Sequence, residues 1–174
     1  MEDSKDIRFE RIWAMPNANT FSILPIKNLL EEEVDPSLLW IDPFARESKI
    51  AKITNDLNPA FDTDYHMDAK DFLNQFGDES VDGVLLDPPY ALRQIAECYK
   101  IAGLPVTKQT TQSSFFTFYK KEVARIVKKG GKVISFGWNS GGVGKKLGFK
   151  LLRILLVPHG GAHNDTIVTV EVKE

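Results

Sequence analysis

Six short apolar runs divide the chain, and most of their positions are hydrophobic rather than alternately hydrophobic and polar. Runs that are apolar throughout are typical of strands covered on both faces. The last run is also rich in β-branched residues, which favour strands. Strands are therefore expected near residues 38–41, 50–54, 81–86, 132–136, 151–157 and 166–172.

Two stretches between these runs have the spacing of amphipathic helices. The pattern predicts a short helix over 68–76 and a longer helix over 115–129. Lys128 and Lys129, followed by Gly130, suit the last turn of the longer helix and a glycine stop. The alternation of strands and helices predicts an α/β domain with a mainly parallel sheet.

Three of the predicted strands end in acidic or turn-forming residues. Asp42, Asp56 and Asp87 each lie at or just beyond the end of an apolar run. Ligands of open α/β sheets bind outside the carboxyl ends of the strands. The sequence therefore predicts three carboxylates on one rim of the sheet.

The segment Asp87-Pro88-Pro89-Tyr90 combines a rigid turn with groups that suit an amine. Each proline restricts φ and lacks an N–H, and the residue before a proline favours extended backbone. An exocyclic amine donates two hydrogen bonds, which the Asp87 carboxylate and the Pro88 carbonyl can accept. Tyr90 can stack on the base. A base held in this way must leave its stack, by flipping or in a single strand.

Composition and charge narrow the class of protein. The 174 residues, 43% hydrophobic and 26% charged, predict one globular domain over 1–174. No apolar run approaches the roughly 18 residues that span a bilayer, and no secretory leader is evident, so a cytoplasmic location is expected. With a net charge of −2, binding of nucleic acid would require a local basic face, would be weak, or would be helped by a partner.

Cysteine and histidine usage predicts neither a disulfide nor a metal site. Cys98 is the single cysteine, and it is expected to be a packing residue in a helix. His159 and His163 flank two glycines, which indicates a loop rather than a helical ligand pair.

The turn at 87–90 resembles the signature (D/N/S)-P-P-(Y/F/W) of the S-adenosylmethionine-dependent amino-methyltransferases, and further segments from about residue 19 to 172 follow the order of that family. The resemblance implies a Rossmann-like class I methyltransferase fold, with about seven strands and helices on both faces. It also implies S-adenosylmethionine as cofactor and Asp87, Pro88, Pro89 and Tyr90 as the catalytic segment.

The same resemblance implies the cofactor-binding residues. Asp56, after the second predicted strand, would hold the ribose hydroxyls of the cofactor. Asp68 would accept a hydrogen bond from the adenine amine of the cofactor. The set comprises Thr20, Phe21, Asp42, Pro43, Phe44, Asp56 and Asp68. Taken alone, these residues have structural alternatives as turn formers, helix caps or core aromatics.

The chain departs from the family in its cofactor loop and in its size. The family carries D-P-F-x-G-x-G, whereas this chain has Ala45-Arg46-Glu47-Ser48 after Phe44. The bulky pair could obstruct the carboxypropyl end of the cofactor or swing outward. Residues 91–115 are too few for a recognition domain and are expected to form a mobile substrate loop or a plain surface loop.

The expected reaction is methyl transfer from S-adenosylmethionine to the N6 amine of adenine in DNA, on a flipped or single-stranded base. Cytosine-C5 methylation is disfavoured because Cys98 does not follow a proline. Three other amine acceptors stay open: cytosine N4, an RNA base and a protein glutamine. A non-catalytic methyltransferase-like subunit is the alternative from another class. Sequence specificity would be low or would be supplied by a protein partner, and the small size suits a phage or mobile element by analogy.

Overall fold

Seven strands form one sheet in the computed structural model, which describes residues 6–107 and 114–174. The strands are β1 (Arg8–Arg11), β2 (Trp40–Asp42), β3 (Ile53–Thr54), β4 (Val81–Leu86), β5 (Val127–Gly137), β6 (Phe149–Val157) and β7 (Thr166–Lys173). The helices are α1 (Leu24–Glu33), α2 (Ala69–Asn74), α3 (Leu92–Ile101) and α4 (Ser114–Ile126). All six predicted strands and both predicted helices are present.

The strand order is β1-β6-β7-β5-β4-β2-β3. β7 is antiparallel to β5 and to β6, and the other neighbours are parallel. The predicted mainly parallel α/β sheet is therefore confirmed. β2 lies between β3 and β4, so the order reverses there and a crevice forms at the carboxyl ends of these strands.

The core has two layers, one on each face of the sheet. Helix α1 covers one face, where Leu29 packs with Leu85 of β4. Helices α2 and α4 cover the other face, where Phe72 and Val123 pack with Val84. Adjacent strand residues such as Val84 and Leu85 therefore point into different layers, which explains runs that are apolar throughout.

The predicted end of the longer helix is wrong. Helix α4 ends at Ile126, and β5 already begins at Val127, which pairs with Val81 of β4. The next pair is Lys132 with Gly83, so the residues between bulge out of the ladder. The pairing of Val127 with Val81 joins segments far apart in the sequence, so local helical spacing cannot predict it, and Lys128 beyond it forms a 2.8 Å ion pair with Asp82.

The loop predicted for 91–115 is wrong over Leu92–Ile101, which forms helix α3. Ile95 and Tyr99 are one helical turn apart and both are buried, so a short apolar stripe holds the helix against the domain. Residues 108–113 of the predicted loop lie outside the described residues, and mobility of the segment stays a prediction.

The pattern also missed β1 and α1. The charged β1 adds an edge strand beside β6, where only backbone pairing is required. Among the described residues, none of the helices has the length and apolar character of a membrane span.

Candidate active site

A cavity of about 460 Å³ opens at the carboxyl ends of β2, β3 and β4. Its size falls within the range of pockets for small ligands and cofactors. Most of the predicted site residues line it. They are Thr20, Pro43, Phe44, Asp56, Asp68, Asp87, Pro88, Pro89 and Tyr90.

The catalytic turn predicted at 87–90 is held by the strand before it and the helix after it. Asp87 directly follows β4, and the backbone N–H of Tyr90 donates to Gln94 Oε1 in the first turn of α3 at 2.8 Å. The Tyr90 hydroxyl donates to Asp87 Oδ1. These contacts orient the carboxylate and the ring as one unit on the cavity wall.

The environment of Asp87 shifts its proton equilibrium toward neutral pH. Burial raises the pKa of Asp87 to about 6, against the lowering effect of hydrogen bonds from Tyr90 and Thr20 and of the Arg46 charge. Burial, followed by the Asp87 charge and hydrogen bond, raises the pKa of Tyr90. Tyr90 therefore stays a neutral hydrogen-bond donor, while Asp87 changes its charge near pH 6.

Trp138 is a candidate site residue that sequence reasoning missed. It follows the end of β5, and its ring lies edge-on to Tyr90 at 5.6 Å between centroids. Trp138 is 44% exposed, so its ring is available beside the turn. The rule that placed Asp42 and Asp87 on the carboxyl rim would also have found this residue, because Trp138 follows a predicted strand.

Asp42 lies beneath the cofactor loop rather than on the wall of the cavity. Its side chain is buried and its Oδ1 accepts from Phe44 N at 3.0 Å. Its Oδ2 has no hydrogen-bond partner among the described residues. Burial, followed by the charges of Asp87 and Asp56, raises the pKa of Asp42 well above its ordinary value. The geometry thus gives Asp42 a role in shaping the loop, and direct contact with a cofactor stays a prediction.

Phe21 also does not line the main cavity. Its buried ring packs against Phe136 with 4.7 Å between centroids. It borders only a neighbouring recess of about 20 Å³, which Thr20 and Asp87 share. The side chain of Phe21 is therefore part of the hydrophobic core, which was the structural alternative to cofactor binding. Thr20, in contrast, lines the cavity.

One residue of the predicted cofactor loop, 45–48, has a glycine-like backbone although the loop has no glycine. Arg46 occupies the first expected glycine position, and its φ is +50°. This left-handed conformation is one that glycine adopts without cost and that arginine adopts rarely. The Arg46 guanidinium donates from Nη1 to the Ala18 carbonyl at 2.8 Å and lies 5.5 Å from the centre of the Phe61 ring. Arg46 thus has the backbone conformation that a glycine would adopt, and it lines the cavity.

Asp56 connects this loop to the end of β3. Its Oδ2 accepts from Arg46 N at 3.0 Å, and its Oδ1 accepts from Asn58 N at 2.9 Å. The second contact is the Asx turn that the sequence allowed. Each oxygen keeps a lone pair at the cavity, so a turn role and a ligand role are compatible.

Asn55 is a second residue whose role the sequence did not reveal. It is fully buried, and its Nδ2 donates to Pro43 O at 3.1 Å and to Met67 O at 3.0 Å. Its Oδ1 accepts from Met67 N at 3.1 Å. Asn55 therefore ties the cofactor loop to the segment that precedes Asp68.

Asp68 is the N-cap of α2, as its structural alternative predicted. Its Oδ1 accepts from Lys70 N at 2.8 Å. Its Oδ2 accepts from the Tyr99 hydroxyl of α3, and burial, followed by this contact, raises the pKa of Tyr99. Asp68 thus both caps a helix and lines the cavity, with its carboxylate fixed by two donors.

Cys98 is exposed and lines the cavity, so its prediction as a packing residue is wrong. Helix α3 buries Ile95 and Tyr99, and Cys98 lies about 100° around the helix from Tyr99, away from the buried stripe. Burial against the cavity nevertheless raises the pKa of the Cys98 thiol, which favours the uncharged form.

The cavity is acidic. Asp56, Asp68, Asp87 and Glu97 line it together with one basic residue of the described chain, Arg46. Within the described ranges, no group of three or more His, Cys, Asp or Glu is arranged to hold a metal ion. The arrangement suits a ligand that carries positive charge and hydroxyl or amine donors.

Solved structures with the same architecture include methyltransferases. TrmN from Thermus thermophilus matches with a TM-score of 0.57 and 18% identity over 87% of this chain and 49% of its own. The 1,6-didemethyltoxoflavin-N1-methyltransferase of Burkholderia thailandensis, solved with S-adenosylhomocysteine, matches with a TM-score of 0.57 and 11% identity over 86% of this chain and 76% of its own.

A third match covers the whole of its counterpart. The Streptococcus mutans protein SMU.1697c, solved with S-adenosylhomocysteine, has a TM-score of 0.51 and 13% identity over 92% of this chain and 100% of its own. The chain spans about half the length of TrmN. No protein-family model and no curated protein sequence matches this sequence. At these identities the likeness concerns architecture, and the chain has the Rossmann-like fold of S-adenosylmethionine-dependent methyltransferases.

Proposed function

We propose that this protein transfers a methyl group from S-adenosylmethionine to the N6 amine of adenine in DNA. The observation that carries the proposal is the Asp87-Pro88-Pro89-Tyr90 turn on the wall of an acidic cavity at the carboxyl edge of the sheet. The turn offers a carboxylate, a carbonyl that faces no competing N–H, and an aromatic ring within one short segment.

The residues around the cavity fit S-adenosylmethionine by their chemistry. Asp56 presents two carboxylate oxygens for a diol, and Asp68 presents an oriented acceptor for an amine. The acidic lining suits a sulfonium cation, and Phe44 supplies an aromatic wall. When bound, this cofactor supplies an electrophilic methyl group.

Asp87 and Pro88 orient the acceptor amine in this proposal. Asp87 Oδ1 already accepts from the Tyr90 hydroxyl, but a carboxylate has further lone pairs for one amine hydrogen. The Pro88 carbonyl accepts the other hydrogen. Tyr90 and its neighbour Trp138 bound the base on its faces or edge. Catalysis on this view is mainly a matter of holding the nitrogen in position.

The nucleic-acid part of the proposal rests on a flipped or single-stranded base. With a net charge of −2, the chain has no overall attraction to a duplex, so binding is expected to be weak, to use a local basic face or to be helped by a partner protein. The 1,6-didemethyltoxoflavin-N1-methyltransferase illustrates, by its name, that this fold also serves small-molecule acceptors. The acceptor class is therefore the first thing to measure.

The test is transfer of a labelled methyl group to single-stranded DNA, duplex DNA, RNA and protein pools. We expect the label in adenine of DNA, and loss of transfer in Asp87→Ala with S-adenosylhomocysteine binding retained in calorimetry. Asp35→Ala is the matched control, because Asp35 is an exposed aspartate before β2, at the opposite edge of the sheet.

Each other result changes the proposal in a defined way. Unchanged transfer in Asp87→Ala excludes the amine-holding mechanism. Label in cytosine N4, RNA or a protein glutamine reassigns the acceptor. Absence of both binding and transfer in the wild-type protein favours the non-catalytic subunit that the missing loop glycines suggested.

A further inference from the structure

We propose that Arg46 recognises the carboxylate of the amino-acid tail of the methyl donor. On this view the protein distinguishes S-adenosylmethionine from adenosine thioethers that lack the tail. The inference rests on the proposed function, which supplies the identity of the methyl donor. It gives a ligand-binding role to Arg46, which stands where the family has a glycine.

The Arg46 side chain is already held in place before any ligand is considered. Its Nη1 donates to the Ala18 carbonyl at 2.8 Å, and its guanidinium carbon lies over the Phe61 ring at 5.5 Å. A guanidinium has five N–H donors in a rigid fork, so most of them stay available after the contact with Ala18. An anchored fork loses little conformational entropy when it binds a carboxylate.

The backbone at Arg46 is held by a second, independent contact. Its φ of +50° is unfavourable for a residue with a side chain, and its N–H donates to Asp56 Oδ2 at 3.0 Å. Asp56 thus holds the arginine in a conformation that the surrounding structure must over-determine. A strained residue that projects a charged group into a cavity is a candidate for ligand binding.

Charge also distinguishes Arg46 from its surroundings. It is the cationic residue of the described cavity lining, which otherwise carries four carboxylates. Within the described part of the chain, no carboxylate forms an ion pair with its guanidinium. The fork is therefore unneutralised and suits an anionic group of a ligand.

The chemistry of the donor identifies that anionic group. The transferable methyl group must reach the amine held at Asp87, and the donor's carboxylate is only a few bonds from the sulfonium that carries this methyl group. Arg46 and Asp87 both line the cavity and its neighbouring recess, so the two residues lie in the same part of the site. The donor's sulfonium and amino group suit the acidic lining, which leaves its carboxylate in need of a cation.

The experiment compares two ligands and four proteins by calorimetry: wild type, two Arg46 variants and the Asp35→Ala control. S-adenosylhomocysteine carries the carboxylate, and 5′-methylthioadenosine lacks the whole amino-acid tail. Arg46→Gly removes the side chain and relieves the strained φ, and Arg46→Lys keeps the charge but loses the fork. A thermal scan of each variant checks that the fold is intact.

We expect Arg46→Gly to bind S-adenosylhomocysteine roughly tenfold more weakly or worse than wild type, since a charge-assisted contact is lost. Its affinity for 5′-methylthioadenosine should stay within about twofold, because that ligand makes no such contact. Arg46→Lys should fall between wild type and Arg46→Gly. Asp35→Ala again serves as the control and should match wild type.

Several results would overturn the inference. Tighter binding of S-adenosylhomocysteine by Arg46→Gly would mean that Arg46 obstructs the cavity, and equal binding would mean that Arg46 does not contact this ligand. Parallel loss of affinity for both ligands would indicate a structural role. Unchanged ligand binding with weaker binding of a DNA oligonucleotide would assign Arg46 to a backbone phosphate. Wild-type protein that binds neither adenosine ligand would instead contradict the proposed function itself.

Discussion

The carboxyl group of Asp87 experiences opposing influences from its neighbours. Burial disfavours its charged form, whereas donors from Tyr90 and Thr20 and the charge of Arg46 favour it. The balance leaves a pKa of about 6. A carboxyl group in this state is mostly charged at pH 7 and mostly neutral at pH 5.

This balance predicts an acidic limb in the pH profile of methyl transfer. The rate should rise with pH through about 6, because the charged carboxylate accepts the amine hydrogen more strongly. Asp87→Asn keeps an uncharged acceptor, so it should lose this limb and be about tenfold slower at pH 8. Initial rates from pH 5 to 8 measure both effects. An identical limb in Asp87→Asn would show that another group titrates.

The raised pKa of Asp87 also makes the stability of the folded protein depend on pH. The folded-state pKa is raised above the ordinary value of 3.8, so folded protein binds this proton more tightly than unfolded protein. The contribution of Asp87 to stability is therefore present at low pH and lost as the pH rises through about 6. Asp87→Asn should be at least as stable as wild type at pH 8 in urea unfolding.

Strand β4 leads into the turn at 87–90, which is predicted to be catalytic, and depends on a close approach to β2. Trp40 pairs with Gly83, and the Trp40 ring covers this glycine so closely that an added Cβ would lie 2.4 Å from ring carbons. Trp40 is 2% exposed and packs in the same layer as Leu85. The glycine is thus required by packing between two strands, although its backbone φ is ordinary.

A single methyl group at this contact should destabilise the domain. We expect Gly83→Ala to lower the free energy of unfolding by about 2 kcal/mol, since the buried ring of Trp40 has no free space to move into. Gly77→Ala is the matched control, because nothing lies within 4 Å of its added Cβ. That variant should stay within about 0.5 kcal/mol of wild type. Equal stability of the two variants in urea would contradict this packing argument.

At the scale of the whole molecule, one buried arginine joins three elements that are distant in the chain. Arg153 of β6 is 5% exposed. Its guanidinium reaches Glu10 of β1 at 2.5 Å, and Glu32 and Glu33 at the end of α1 at 2.7 and 3.3 Å. Burial would raise the pKa of Glu33, but hydrogen bonds and charge from Lys132 and Arg153 outweigh it and lower the pKa.

Removal of this cation should leave Glu10 and Glu33, which are both partly buried, with Arg8 and Lys132 as their remaining cationic partners. We expect Arg153→Met to lose about 3 kcal/mol of unfolding free energy at pH 7. Arg8→Met is the control, because Arg8 contacts Glu10 and Glu32 from a side chain that is 57% exposed, and its loss should cost under about 1 kcal/mol. Urea unfolding measures both.

The dependence on pH separates a charge effect from lost packing. The lowered pKa of Glu33 gives stability that is present above its ordinary value of 4.5 and is lost as the pH falls through the folded-state value. The deficit of Arg153→Met should therefore shrink in acid. A deficit that is constant from pH 7 to pH 3 would indicate that Arg153 contributes only packing.

The sequence by itself determined six of the seven described strands, two helices and the rim on which the predicted site lies. Each depends on a local pattern: apolar runs record burial on both faces, and Pro88 and Pro89 restrict their own backbone whatever surrounds them. The rule that parallel strands share a carboxyl edge then brings Asp56 and Asp87 to one cavity.

Only the tertiary structure decided what each side chain meets there. Helix α4 stops early because Val127 pairs with a strand far away in the sequence, and Asp42 is buried because the cofactor loop folds over it. The contacts of Arg46 with Ala18, and of Trp138 with Tyr90, join segments that no local pattern relates. Burial, pKa and ligand access depend on such distant neighbours, so the sequence predicted where the site lies and the fold decided its chemistry.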